Sequence, residues 1–404
     1  MKYVMVIPDG MADEPQPSLG GQTPLEAART PNMDWAAREG LTGWVHTVPK
    51  GLKPGSDVAS LSLFGYDPGK YYTGRSPLEA VAQGIRLGVG DVAFRCNLVT
   101  VQQDVMVDYS AGHIENEDAA ALIATLQERL GSARASLHAG VQYRHTLVMH
   151  GGPAHVKLTA PHDISNQPIG AYWPSGEGAS ALRQFMEHAR EILAEHEVNR
   201  RRIAQGKLPA TMIWLWGQGS APTLPSFKEQ YGKSGGIITA VDLLRGLGIF
   251  LGLEVIQVPG ATGYFDTNYQ GKAEYALEAL KRHDLVIVHI EATDEAGHMG
   301  DLAKKIEAIE AVDQLVLGTL RQGLQTLKEY RLLIVPDHPT FVATKTHTGD
   351  AVPFAIYTSG KKPPAPGVTA YNERAVASST LRITEGHRLM DFFLGAPDNF
   401  GCLP

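Results

Sequence analysis

Leu285-Val286-Ile287-Val288-His289-Ile290-Glu291-Ala292-Thr293-Asp294-Glu295-Ala296-Gly297-His298 is the stretch on which the fold turns. Its first six residues form an almost unbroken apolar run, the signature of a strand buried on both faces of a parallel sheet. Asp294 and His298 follow at a spacing of four, which on one helical turn brings both side chains to the same face. In an open α/β sheet, ligands bind just outside the carboxyl ends of the strands. An apolar strand that runs directly into a carboxylate and an imidazole therefore predicts both the fold class, α/β with a mostly parallel sheet flanked by helices, and the place of the site.

The same pattern recurs at both ends of the chain. Residues 2–7 are a short apolar run that ends in Pro8-Asp9-Gly10, so Asp9 falls at a second strand end. Residues 332–335 are a third such run, with Asp337-His338 beyond it and His347 a few residues further on. A fourth contributor is the loop Lys53-Pro54-Gly55-Ser56-Asp57-Val58-Ala59-Ser60, which enters a helix near Ser56. Serine at a helix start usually serves as a cap. Backbone N–H groups there also favour an anion, and a serine with a lowered pKa can attack a phosphoryl group.

These residues suffice for two cations, with Asp294, His298 and His347 for one and Asp9, Ser56, Asp337 and His338 for the other. Mixed nitrogen and oxygen donors suit Mn2+ or Zn2+ better than Ca2+, with Mg2+ and Co2+ as further candidates. Two neighbouring metals can lower the pKa of a bound hydroxyl and hold phosphoryl oxygens for in-line displacement.

Strand and helix signals alternate from residue 210 to residue 357, with a long helix expected at 301–327 and a last helical stretch at 379–393. The run 210–216, apolar on both faces, reads as a central strand, followed by a flexible loop at 217–219. Residues 180–202 read as one amphipathic helix. The texture changes between 106 and 180, where a helix at 118–130 and strand-like runs at 135–138, 143–149 and 156–159 suggest a small α+β insertion. The expected organisation is one main domain from residues 1–105 and 181–404, interrupted by an inserted domain at 106–180. Arg75 and Arg95 in the main domain, and His113, Arg144, His162 and Asp163 in or beside the insertion, are the candidates for holding an anionic substrate and moving protons.

With 404 residues, 43% hydrophobic and 20% charged, the chain is globular throughout and long enough for two cores. A net charge of −7 gives no basic footprint for nucleic acid, and a small-molecule enzyme fits better. No apolar stretch approaches the ~20 residues of a membrane span. Cys96 and Cys402 form no metal or redox motif, so a reducing, cytoplasmic setting is expected.

Pro8-Asp9-Gly10, Gly55-Ser56-Asp57-Val58-Ala59, Gly65-Tyr66-Asp67-Pro68, Tyr72-Thr73-Gly74-Arg75, Phe94-Arg95-Cys96-Asn97, Asp294-Glu295-Ala296-Gly297-His298 and Asp337-His338-Pro339-Thr340, taken together and in order, resemble the archaeal-type cofactor-independent phosphoglycerate mutases of the alkaline phosphatase superfamily. The resemblance implies an alkaline-phosphatase-like domain, with a smaller inserted domain closing over a small phosphorylated substrate. It also implies a phosphoserine formed on Ser56 at a two-metal site, with no need for 2,3-bisphosphoglycerate. Asp108-Tyr109-Ser110-Ala111-Gly112-His113-Ile114 departs from the arginine-rich version of this stretch in the mutases. Here the chain looks similar to a bacterial branch of the family proposed to be ATP-dependent homoserine kinases, which stands as the alternative activity. The chain carries no Gly-x-x-x-x-Gly-Lys-Ser/Thr loop of the familiar ATP-binding kind.

Overall fold

The structure, a computed structural model, describes residues 1–361 and 368–395; Cys402 lies outside the described residues. The chain divides into two compact units, one formed by Met1–Tyr72 and Leu224–Pro404 and the other by Thr73–Thr223. Each has its own buried apolar core.

The first unit is built on an eight-stranded sheet in the order Arg382–Ile383, Leu41–Val45, Val352–Thr358, Tyr330–Ile334, Lys2–Pro8, Leu285–Ile290, Gly235–Ile238, Glu254–Val255. From Tyr330–Ile334 to Glu254–Val255 all neighbours run parallel, while Val352–Thr358 is antiparallel to both of its partners. Every residue of Leu285–Ile290 is buried, as is all of Lys2–Pro8 after Lys2, which is why both read as continuous apolar runs. Register does the positioning. Val6 lies opposite Val288 on one side and Ile334 on the other, so the three central strands release the chain at one edge of the sheet.

Helices cover the sheet, and local chemistry sets where several of them start. Thr23 and Glu26 form the reciprocal capping box that opens Pro24–Ala27. The expected long helix at 301–327 is Leu302–Ala311 and Gly318–Leu324 joined by a π-helical turn, Val312–Leu317. That turn presents the buried Asp313 to another helix. Its carboxylate accepts the backbone N–H of Asn32 at 3.0 Å and of Met33 at 2.7 Å, capping Pro31–Arg38 where Thr30 makes no side-chain cap. The stretch 379–393 is helical only over Arg388–Leu394, because Arg382–Ile383 is recruited as an edge strand beside Leu41–Val45.

The second unit is wider than the insertion expected at 106–180. Its antiparallel sheet is organised on Asp91–Gln102, which pairs with Arg144–His150, Val105–Asp108 and Met212–Ser220, with Ala135–Val141 added beyond Arg144–His150. Strand Met212–Ser220 is thus no part of the parallel sheet. Hydrogen bonding between strands distant in sequence, Val99 with Met212 through Val92 with Ser220, carries residues 73–105 and 181–223 into this unit. The expected loop at 217–219 is strand, and 156–159 contributes only a single bridge, Lys157 with Ser175. The helix expected over 180–202 is two, Ala179–Ala194 and Glu197–Ala204, because the His196 side chain accepts the Val198 N–H at 3.2 Å and starts a new helix. Among the described residues no helix is long and apolar enough to cross a membrane.

Candidate active site

The carboxyl edge of the first unit's sheet gathers every residue expected there. Asp9 follows the central strand directly, Asp294 lies in helix Ala292–Met299 after one neighbour, and Asp337 and His338 follow the other. His347 comes from a two-stranded ribbon in which it pairs with Thr340. Gly10 is required where it stands. Its φ is +60°, and a β-carbon there would strike the Asp294 carboxylate and the Thr340 hydroxyl.

Asp294, His298 and His347 form a half-exposed cluster. The two Nε2 atoms face each other at 2.8 Å, with the Asp294 oxygens 3.2 Å from His298 and 3.4 Å from His347. Proton positions follow from the partners. Nδ1 of His298 is 3.0 Å from the Lys345 carbonyl and Nδ1 of His347 is 3.4 Å from the Pro54 carbonyl. A carbonyl only accepts, so each Nδ1 donates and each Nε2 is the nitrogen turned inward. Two inward imidazole nitrogens beside a carboxylate make a donor set that suits a cation once the bound proton is displaced. The bond to Asp294 lifts the pKa of His298 to about 9, so a cation entering here displaces a proton. Burial pushes Asp294 up, but the bonds from His298 and His347 outweigh it and hold Asp294 well below the usual carboxylate range.

Asp9, Asp337 and His338 form a second cluster, fully buried, with Ser56 at its edge. Oδ1 of Asp337 accepts the backbone N–H of Gly10 at 3.0 Å and of His338 at 2.9 Å. Its Oδ2 is buried with no hydrogen-bond partner and lies 3.3 Å from Nε2 of His338. An orphaned buried carboxylate oxygen is costly unless a cation meets it. Thr340 gives its hydroxyl proton to Asp294 and receives Nδ1–H of His338 at 3.3 Å, which leaves Nε2 of His338 unprotonated as well. Burial and the neighbouring Asp337 raise the pKa of Asp9 well above its ordinary value, while burial lowers that of His338.

Ser56 is the first residue of helix Ser56–Leu63 rather than its cap. The cap position is Gly55, which has no side chain to offer. The Ser56 hydroxyl lies 3.2 Å from Nε2 of His338 and 3.3 Å from the nearer Asp9 oxygen. The donor set thus fits two cations, with a serine hydroxyl beside the buried one.

The remaining candidates all belong to the second unit. Arg75 and Arg95 clamp the two oxygens of Glu79 at 2.7 and 2.8 Å, and Arg95 lies over the Trp216 ring at 4.3 Å. Trp216 donates to Asn97 at 3.0 Å, and His162 packs edge-on against Trp216 and Tyr109. Tyr109 meets Tyr143, which is flanked by His113 and by the Arg144 guanidinium at 4.3 Å. Five of the six candidates are thereby linked by rings and carboxylates, while the mostly exposed Asp163 carboxylate lies 3.6 Å from His162 outside that group. Glu79 and Trp216, which organise this group, were missed: a glutamate inside a helix and a tryptophan in an apolar strand carry no motif.

Missed in the first unit were His289, Glu291 and Lys272. His289 and Glu291 offer ligand atoms close to Asp9. Burial raises the pKa of Glu291 to about 8 and lowers that of Lys272 to about 8. The one available signal was a histidine inside an otherwise apolar strand.

A mostly parallel sheet whose strand ends gather carboxylates, imidazoles and a serine hydroxyl is the architecture of a metal-assisted phosphoryl-transfer enzyme. Residues 37–199 match the family described as 2,3-bisphosphoglycerate-independent phosphoglycerate mutase. Two relatives bearing that name are those of Methanothrix thermoacetophila, 51% identical, and Methanosarcina acetivorans, 48% identical. Each alignment covers 96% of this chain and 98% of the relative. Among solved structures, a protein from Pyrococcus horikoshii is similar at a TM-score of 0.81 and 30% identity, covering 97% of this chain and 96% of its own. The cofactor-independent phosphoglycerate mutase of Thermoplasma acidophilum is similar at 0.71 and 30%, covering 98% and 99%. The chain belongs to the 2,3-bisphosphoglycerate-independent phosphoglycerate mutase family. The family and the candidate clusters together imply dependence on a divalent metal.

Proposed function

We propose that this protein interconverts 2- and 3-phosphoglycerate without 2,3-bisphosphoglycerate, carrying the phosphoryl group on Ser56. The observation that supports this most is the placement of the Ser56 hydroxyl, free of any capping role and set between Asp9 and an unprotonated His338 nitrogen. Asp294, His298 and His347 would hold one divalent ion and Asp9, Ser56, Asp337 and His338 the other, Mn2+ or Zn2+ by donor type. Such ions, when bound, lower the pKa of the serine hydroxyl and neutralise phosphoryl oxygens.

Oγ of Ser56 bonds to phosphorus, and the bond from phosphorus to one glycerate oxygen breaks. The serine proton is given up and the departing alkoxide takes one in return, with His113, His162 and Asp163 as candidate carriers. The glycerate turns, its other hydroxyl gives up its proton as its oxygen bonds to phosphorus, the bond from phosphorus to Oγ of Ser56 breaks, and Ser56 takes a proton back. Holding the glycerate through this step falls to the second unit, whose Arg75, Arg95 and Arg144 can pair with a carboxylate. The segment 106–180 is the candidate for excluding water, which would otherwise hydrolyse the phosphoserine. The buried, unpaired Cys96 suits a reducing cytoplasm.

The test is purified protein with Mn2+, given 3-phosphoglycerate without ATP and, separately, homoserine with ATP. Turnover of phosphoglycerate alone is expected. Phosphorylation of homoserine with no mutase turnover would replace this reading by the kinase.

A further inference from the structure

Four histidines stand at the carboxyl edge of the first unit's sheet, and their protons are not arranged alike. His298, His338 and His347 each donate through Nδ1 and present Nε2 to a cluster. His289 is reversed. Its Nε2 is 2.9 Å from Oδ2 of Asp9, and since a carboxylate oxygen only accepts, that nitrogen carries the proton. Its Nδ1 is 3.2 Å from Oγ1 of Thr239, at the end of the adjacent strand Gly235–Ile238. Thr239 receives the Val241 N–H at 3.1 Å and so is free to direct its own hydroxyl proton onto Nδ1. His289 is fully buried and Thr239 nearly so, and neither lies in a residue pattern that marks a ligand.

We propose that His289 is a positioning residue, held in its Nε2–H form by Thr239, that engages Oδ2 of Asp9 and so aims the carboxylate at the cation beside Ser56. With Oδ2 engaged, Oδ1 is the oxygen directed to the buried cluster, 3.6 Å from Nε2 of His338. The Asp9 main chain is held as well, by the Thr293 hydroxyl on its carbonyl. Outer partners of this kind set ligand orientation and contribute about 10–100-fold to metal affinity. Asp9, His289 and Glu291 also place ligand atoms within 4.8 Å of one another, which raises the alternative of a third cation. The nitrogen that would bind it is the protonated one, so the geometry favours positioning over ligation.

The inference rests on the reading of Asp9 as a metal ligand, and the experiment separates the two. The full chain, stripped with a chelator, is titrated with Mn2+ while free Mn2+ is followed by electron paramagnetic resonance. Wild type should take up two equivalents. His289→Leu should weaken one of them by about 10–100-fold and leave the other alone. His289→Gln, whose amide keeps an N–H donor, should restore most of the loss, and Thr239→Val should weaken the same equivalent to a smaller extent. Unchanged affinity in His289→Leu, a glutamine variant no better than the leucine one, or three equivalents in wild type would overturn the proposal. Should His289→Leu fail to fold, wild-type affinity in Thr239→Val overturns it instead. If Asp9→Asn itself leaves both equivalents untouched, the reading of Asp9 as a ligand fails; if Asp9→Asn removes one and His289→Leu none, only the positioning role does.

Discussion

The two clusters at the sheet edge are built in opposite ways. Asp294 and His298 come from one helical turn and His347 from a short ribbon, and the imidazoles are 38% and 24% exposed. Asp9, Asp337 and His338 come from two strand ends more than three hundred residues apart in the chain and are wholly buried. A local, exposed cluster can exchange its ion with solvent and largely pre-exists in one segment. A buried cluster assembled from distant segments exists only in the folded state, so ion binding there is coupled to folding. On the proposed reading the difference gives them different work: the buried cluster, beside Ser56, would prepare the nucleophile, and the exposed one would exchange its ion with solvent.

Ser56→Ala strikes the buried side alone and should have the largest effect. Loss of the attacking oxygen should lower mutase turnover by about a thousandfold or more with the thermal unfolding transition retained. A variant keeping a tenth of wild-type turnover would show that Ser56 is not the obligatory nucleophile.

Metal removal sharpens the contrast. Chelator should abolish activity, Mn2+ should restore it, and the ions should leave in two phases, the half-exposed cluster first, as read by elemental analysis of timed samples. Acid should act in the same order of exposure. His298 has its pKa raised to about 9, so protonation competes with the ion at every pH below that, and affinity of the half-exposed cluster should fall by about tenfold per pH unit on acidification. Loss of both ions in one phase, or an affinity at the half-exposed cluster that is flat between pH 8 and pH 6 (bounds of roughly the range in which histidine charge changes), would erase the distinction.

The smallest effect is expected from the second unit. Arg144→Ala or His162→Ala should change the partition between isomerisation and release of inorganic phosphate by about a few-fold, since a loosely held glycerate escapes and water takes its place. Phosphate release unchanged in both variants would move the glycerate-holding role to other residues.

What the sequence revealed follows the same line between local and assembled. Asp294 and His298 were legible from spacing, and Asp9 and Asp337-His338 from their position after apolar runs, because parallel strands buried on both faces advertise themselves. The second unit was legible as a change of texture but not in its limits. Whether 210–216 pairs with a parallel strand or with Asp91–Gln102 is decided by hydrogen bonds across more than a hundred residues, which no local pattern carries. The break at His196 was hidden by a side chain that accepts a backbone proton where a helix-forming residue was expected. His289 looked like one polar residue in a core strand, and only its neighbours Asp9 and Thr239 give it a task.

The position of Lys2–Pro8 at the centre of the parallel sheet has a consequence for synthesis. This strand is synthesised well before both of its neighbours, Leu285–Ile290 and Tyr330–Ile334, which follow far along the sequence. For most of translation its apolar residues have no partner strand to cover them. All strands of the second unit are complete by Ser220, so that unit can collapse while the first remains open. Lys2–Pro8 is thus a segment in need of a chaperone, and a ribosome stalled before residue 285 should expose Val4, Met5, Val6 and Ile7 to any holdase that samples nascent apolar sequence.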